Sequence, residues 1–74
     1  MELAIVSLKD HRRREVKIDA TPANGTVKLT PAHIRYLRKR FCGAANRHCA
    51  EMDHLVAYDD KDNEYQVVAW YECD

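Results

Sequence analysis

Glycine and proline are scarce in this 74-residue chain, two of each. Low-complexity and linker-like character is thereby excluded, and an apolar share of 46% with 32% charged residues describes a folded globular composition. No apolar run approaches the ~20 residues of a membrane span. There is no Gly-rich phosphate loop. The three cysteines, Cys42, Cys49 and Cys73, contain no CxxC pair, and an odd count is poor material for a disulfide framework. The expectation is three free thiols acting as small semi-buried hydrophobes in a reducing cytosol. The apolar start carries Glu2 and is followed, not preceded, by its basic cluster. That order does not suit a secretory signal, so a cytoplasmic location is expected, in the host-cell cytosol if the chain is phage-encoded.

Charge of one sign is also lacking overall: 12 basic residues balance 12 acidic ones. The balance hides a division. Residues 1–47 hold 11 cations and four acids, a net +7, whereas residues 48–74 hold one cation and eight acids, a net −7. Between Ala20 and Ala50 there is no carboxylate at all. Such asymmetry speaks of partners more than of fold.

A domain of this size buries only roughly 60–65% of its unfolded surface. One domain over residues 1–74 is expected, and a dimer interface would add buried surface, so a homodimer is one expected state. Residues 2–8 form an apolar β-rich run. Glu15 to Ala20 alternates, with Val16 and Ile18 on one face, and the two runs read as a hairpin. Thr21-Pro22-Ala23-Asn24-Gly25 is turn chemistry, and Thr26 to Leu29 alternates again. Thr30 is a good N-cap and Pro31 suits the first helical position. Ile34, Leu37 and Phe41 make one apolar stripe, and Gly43 is a stop. Residues 44–53 fit a loop or a second short helix. Leu55 to Tyr58 and Tyr65 to Tyr71 make a last hairpin, whose final strand is apolar on both faces and so is central or meets a partner. The expected fold class is α+β, a small antiparallel sheet in the order β-β-β-α-β-β with one main helix on one face.

The candidate surfaces follow from the charges. Arg12, Arg13 and Arg14 form one basic focus. Arg35, Arg38 and Lys39 lie nearly opposite the apolar stripe of the helix and, with Arg40 and Arg47, form the other. Arginine outnumbers lysine seven to five, which suits planar recognition of phosphate or carboxylate. The acidic focus is the turn bearing Asp59, Asp60, Asp62 and Glu64.

Candidate chemistries are weaker. His33, Cys42, His48, Cys49 and His54 cluster in sequence, but their spacing matches no zinc-finger grammar. Asp60-x-Asp62-x-Glu64 begins like a calcium loop, yet Tyr65 stands at the sixth position and Tyr71 at the twelfth, where Gly and Glu are needed. A Cys–His nucleophile pair would need a positioned base and an oxyanion hole that nothing in the sequence places. No catalytic residue, metal or cofactor is assigned. The expectation is a non-enzymatic protein-binding module acting by occupancy, with Tyr, Trp and Arg as anchors. Its narrower form is a phage or mobile-element accessory or inhibitor protein, for example an anti-CRISPR-like inhibitor of a nucleic-acid-handling bacterial defence complex such as CRISPR-Cas. The alternative is a nucleic-acid-binding regulator using the basic helix face, with aromatics for stacking.

Overall fold

The computed structural model describes residues 1–69. Five strands and one helix follow in the order β1 (Glu2–Ser7), β2 (Glu15–Asp19), β3 (Thr26–Leu29), α1 (Pro31–Cys42), β4 (Leu55–Tyr58) and β5 (Glu64–Ala69), with a short 3₁₀ helix at Ala50–Met52. The α+β class and the element order are those expected. The readings of Trp70, Tyr71, Glu72, Cys73 and Asp74 lie outside the described residues.

The strands form one sheet, ordered β2-β1-β4-β5-β3. Three pairings are antiparallel, but β3 runs parallel to β5, with Thr26 opposite Gln66 and Leu29 opposite Ala69. The sheet is therefore mixed rather than wholly antiparallel. The cause is the path after β2. Residues 20–25 carry the chain from one edge of the sheet to the other, so β2 and β3 are not neighbours. The Asn24-Gly25 turn does form, with φ of 54° and 75°. It closes a local bridge in which Ala23 and Thr26 exchange backbone hydrogen bonds of 2.8 and 3.0 Å. Positive φ at both central residues defines the type I′ geometry that Asn-Gly favours. The turn thus launches β3 instead of joining it to β2.

Period-two alternation decides which face is buried. Leu3 and Ile5, Val16 and Ile18, Val27 and Leu29, and Ala57 point to one side and meet Ile34, Leu37 and Phe41 of α1. The helix starts at Thr30, whose hydroxyl accepts from the His33 amide at 3.2 Å. His33 answers through Nδ1, which accepts from the Thr30 amide at 3.2 Å. Its Nε2 lies 3.0 Å from the Asp19 carbonyl and donates to it, since Nδ1 is the acceptor. A histidine takes the place that Glu or Gln holds in the usual capping box. Gly43 ends the helix at φ 88°.

Residues 44–53 resolve into a turn and the 3₁₀ helix, fastened at three points. Cys42 and Cys49 form a disulfide with Cα atoms 5.6 Å apart. The buried Ser7 hydroxyl donates to the Glu51 carbonyl at 2.7 Å. His48 and Asp53 pair at 2.8 Å. The expectation of three free thiols is thus corrected. Spacing alone did not show that the helix end and the following turn fold back to bonding distance.

Candidate functional site: the basic end and the acidic groove

The Arg12–Arg14 triplet does not act as one patch. Arg14 is built into the fold: Nε donates to Asp10 Oδ2 at 2.6 Å, and Nη1 and Nη2 donate to the carbonyls of Arg40 and Phe41 at 3.1 and 3.2 Å. Its guanidinium also sits 5.6 Å from the Phe41 ring centroid. It serves as a side-chain cap on the carbonyl end of α1, where positive charge also complements the helix dipole. Asp10, almost wholly buried, accepts from Arg14 and from the Arg12 amide at 2.9 Å. Those bonds, Arg14 first, hold its carboxyl below the usual carboxylate range. Arg12 and Arg13 are exposed. Arg13 has φ 51° and lines the sheet face away from the helix.

Arg14's bonds bring the β1–β2 loop against the end of α1, so the first basic focus touches the second through Arg14, while Arg13 turns to the other face. The outward helix face consists of Ala32, Arg35, Tyr36, Lys39 and Arg40, all exposed. Arg38 is half-buried and Cys42 buried. The cationic face is therefore rotated from the Arg35/Arg38/Lys39 line toward Arg35, Lys39 and Arg40, with Tyr36, 46% exposed, among them. Arg47 is exposed in the turn that the disulfide closes.

The acidic turn is likewise divided. Asp59 organises it: Oδ1 accepts from the amides of Lys61 and Asn63 at 2.8 and 2.9 Å. Oδ2 accepts from the Asn63 side chain at 2.9 Å and from the Tyr65 hydroxyl at 3.0 Å. These bonds, led by that from the Asn63 side chain, lower its pKa to about 2, and the same carboxylate raises that of Tyr65. Glu64 accepts a long 3.5 Å contact from the Tyr58 hydroxyl. Asp60 and Asp62 are exposed, and no hydrogen bond among the described residues engages their side chains.

The face of the sheet turned away from α1 has no covering element among the described residues. Its centre is apolar: Ala4, Val6, Val56 and Tyr58, with Val68 43% exposed beside them. Val6 stands opposite Val56 and Ala4 opposite Tyr58 in the β1–β4 register. Over β2, β1 and β4 this face dips into a groove of about 430 Å³. Ala4, Val6 and Tyr58 line it together with Glu2, Glu15 and Lys17 from β1 and β2, Asp59, Asp60 and Asp62 from the last turn, and Arg13. Five carboxylates against two cations leave it at −3. Lys17 lies 3.8 Å from Glu2, an exposed pair of small energetic weight.

Glu2 and Glu15 were not expected in the acidic site. Their outward phase is legible in the strand alternation. Their approach to a turn more than 40 residues later needs β4 beside β1, which strand order alone supplies. A second hollow, of about 550 Å³, opens near the start of β4 and the end of β5, bounded by Leu8, Met52, Leu55 and Val67. Four of the five metal and nucleophile candidates have other partners: Cys42 and Cys49 bond to each other, His33 caps α1 and His48 pairs with Asp53, while His54 is exposed at the second hollow. Among the described residues no helix is long and apolar enough to cross a membrane.

Compared with family models, with curated proteins and with solved structures, the chain matches none of them.

Proposed function

We infer that this protein is a small, non-enzymatic protein-binding module that acts by occupying a surface of its partner. The observation that carries this reading is the sheet face left without a covering element among the described residues, where Ala4, Val6, Val56 and Tyr58 form an apolar centre between charged rims and Val68 is exposed beyond Gln66. An apolar centre rimmed by charge is the kind of surface a protein partner buries. Arg12, Arg35, Lys39, Arg40 and Arg47 supply cationic surface for an acidic partner region, while Arg13 lies at the acidic groove. Asp60, Asp62 and the groove supply the opposite sign. The narrower role, a phage or mobile-element inhibitor of a nucleic-acid-handling defence complex, is supported by small size and by a sequence without catalytic motifs. A cytosolic setting belongs to the same reading, and there the Cys42–Cys49 bond would stand reduced.

The test is affinity capture from source cells with the wild-type chain and with two baits, Val68→Arg and a double reversal Asp60→Lys/Asp62→Lys. A defined protein retained stoichiometrically by the wild type and lost from both variants is expected. Equal retention by all three baits refutes the reading.

A second reading, a nucleic-acid-binding regulator, is favoured by one observation: Tyr36 is exposed among Arg35, Lys39 and Arg40 on α1. An aromatic ring among cations can stack on a base while the cations track phosphates. Its signature is affinity for DNA or RNA that falls steeply with salt and weakens on Arg35→Ala/Lys39→Ala.

A further inference from the structure

We propose that the groove over β2, β1 and β4 is a docking site for an extended, arginine- or lysine-bearing segment of a protein partner. This deepens the protein-binding reading and rests on it. The groove is chemically layered. Its floor is apolar, formed by Ala4, Val6 and the ring of Tyr58, and its rim is acidic. An arginine or lysine side chain has the matching layers, a hydrocarbon stem and a cationic head. The stem lies on Ala4 and Val6, and the head reaches the rim carboxylates with the Tyr58 ring beside it.

The rim is available for this. Glu15, Asp60 and Asp62 are exposed, and no hydrogen bond or ion pair among the described residues occupies their carboxylates. They stand on different elements, Glu15 on β2 and the two aspartates in the β4–β5 turn, so cations on an extended segment meet acceptors from both sides. Asp59 is excluded from the contact set, because its two oxygens already take four hydrogen bonds that shape the turn. Its work is to hold Asp60 and Asp62 at the rim. The net −3 of the groove steers such a segment toward it and repels nucleic acid. A second copy of this chain, presenting Arg35, Lys39 and Arg40 of α1, would be a head-to-tail contact with no built-in closure. It is tested below as a competing occupant.

The probe is a short capped peptide alternating arginine with alanine, titrated into the ¹⁵N-labelled full chain. A glutamate–alanine peptide of equal length serves as control, and the protein alone is followed by sedimentation. Saturable amide shifts at Ala4, Val6, Lys17, Asp60 and Asp62 are expected. Asp60→Asn/Asp62→Asn should weaken binding about tenfold, as expected for two exposed charge pairs, with a spectrum that otherwise stays folded. Glu15→Gln should weaken it less, and the glutamate peptide should not bind. Absence of saturable binding overturns the proposal. So do shifts centred elsewhere, affinity unchanged in the double variant, or self-association of the protein that the same double variant abolishes. If the peptide fails while a partner is still captured through Val68, the groove assignment falls and the protein-binding reading stands. If the peptide binds and no partner is captured, the groove's affinity for cationic segments stands, but the protein-binding reading falls and the assignment to a partner segment falls with it.

Discussion

Reducing the Cys42–Cys49 disulfide should cost this domain a large part of its stability. The bond spans seven positions in sequence, from the last residue of α1 to the residue before the 3₁₀ helix. Loop-closure entropy for a span of that length gives about 2.4 kcal/mol of stabilisation in the oxidised chain. A domain of 74 residues has a total stability of roughly 4–11 kcal/mol. The predicted loss is therefore a sizeable fraction of the whole, and it should lower the melting temperature by roughly 10–20 °C. The consequence extends beyond the ring itself, because the closed turn leads directly into Glu51, whose carbonyl accepts from buried Ser7 of β1. Loosening residues 43–53 therefore weakens one fastening between the helix layer and the sheet. Thermal and urea melts of the oxidised chain, the chain with reductant, and the Cys42→Ser/Cys49→Ser variant measure it. The variant's melt should be insensitive to reductant. A thiol titration of the unfolded, non-reduced chain should count two thiols fewer than that of the reduced chain. Coincident melts with and without reductant, or three titrating thiols in the chain before reduction, would refute the reasoning.

Arg14→Ala should destabilise the fold by about 1–3 kcal/mol, because it strips two carbonyls at the end of α1 and the buried Asp10 of a charged donor. Arg12→Ala should leave the urea midpoint almost unchanged, since among the described residues only its backbone amide is bonded. Asp59 has a folded pKa of about 2 against an ordinary value of 3.8. Its depressed pKa makes its contribution complete above the ordinary value and lost as pH falls through about 2. Acid melts should show Asp59→Ala losing less stability than the parent over that interval. An equal loss in both would show that Asp59 is not the group responsible. Gly43→Ala should cost about 1–2 kcal/mol through its left-handed φ alone, since a Cβ there would meet nothing within 4 Å. A calorimetric scan showing no loss would contradict that αL assignment.

Much of the local structure was legible because it depends on neighbours a few residues away. Alternation at Val16/Ile18 and Val27/Leu29, the Thr30-Pro31 start, the stripe Ile34/Leu37/Phe41 and the Gly43 stop all appear where the periods and caps placed them. The same local logic found Asn24-Gly25, but it could not say that the turn opens an edge strand rather than closing a hairpin. Charge followed a similar course. The sequence divides +7 from −7 near residue 47, and the pairs Arg14–Asp10, Lys17–Glu2 and His48–Asp53 each join groups from the same half.

The residue pattern by itself determined the elements, the buried face of each and the overall imbalance of charge, since these follow from chain periods of 2 and 3.6 and from composition. Tertiary structure alone decided the rest. It placed β3 parallel to β5 and joined Cys42 to Cys49. It turned Arg14 and Asp59 from surface charges into structural fasteners. It also set Glu2 and Glu15 beside the last turn to make a groove. Each of these is a meeting of residues whose distance is set by how strands order and where loops cross, and that information is held by the packed core as a whole rather than by any stretch of chain.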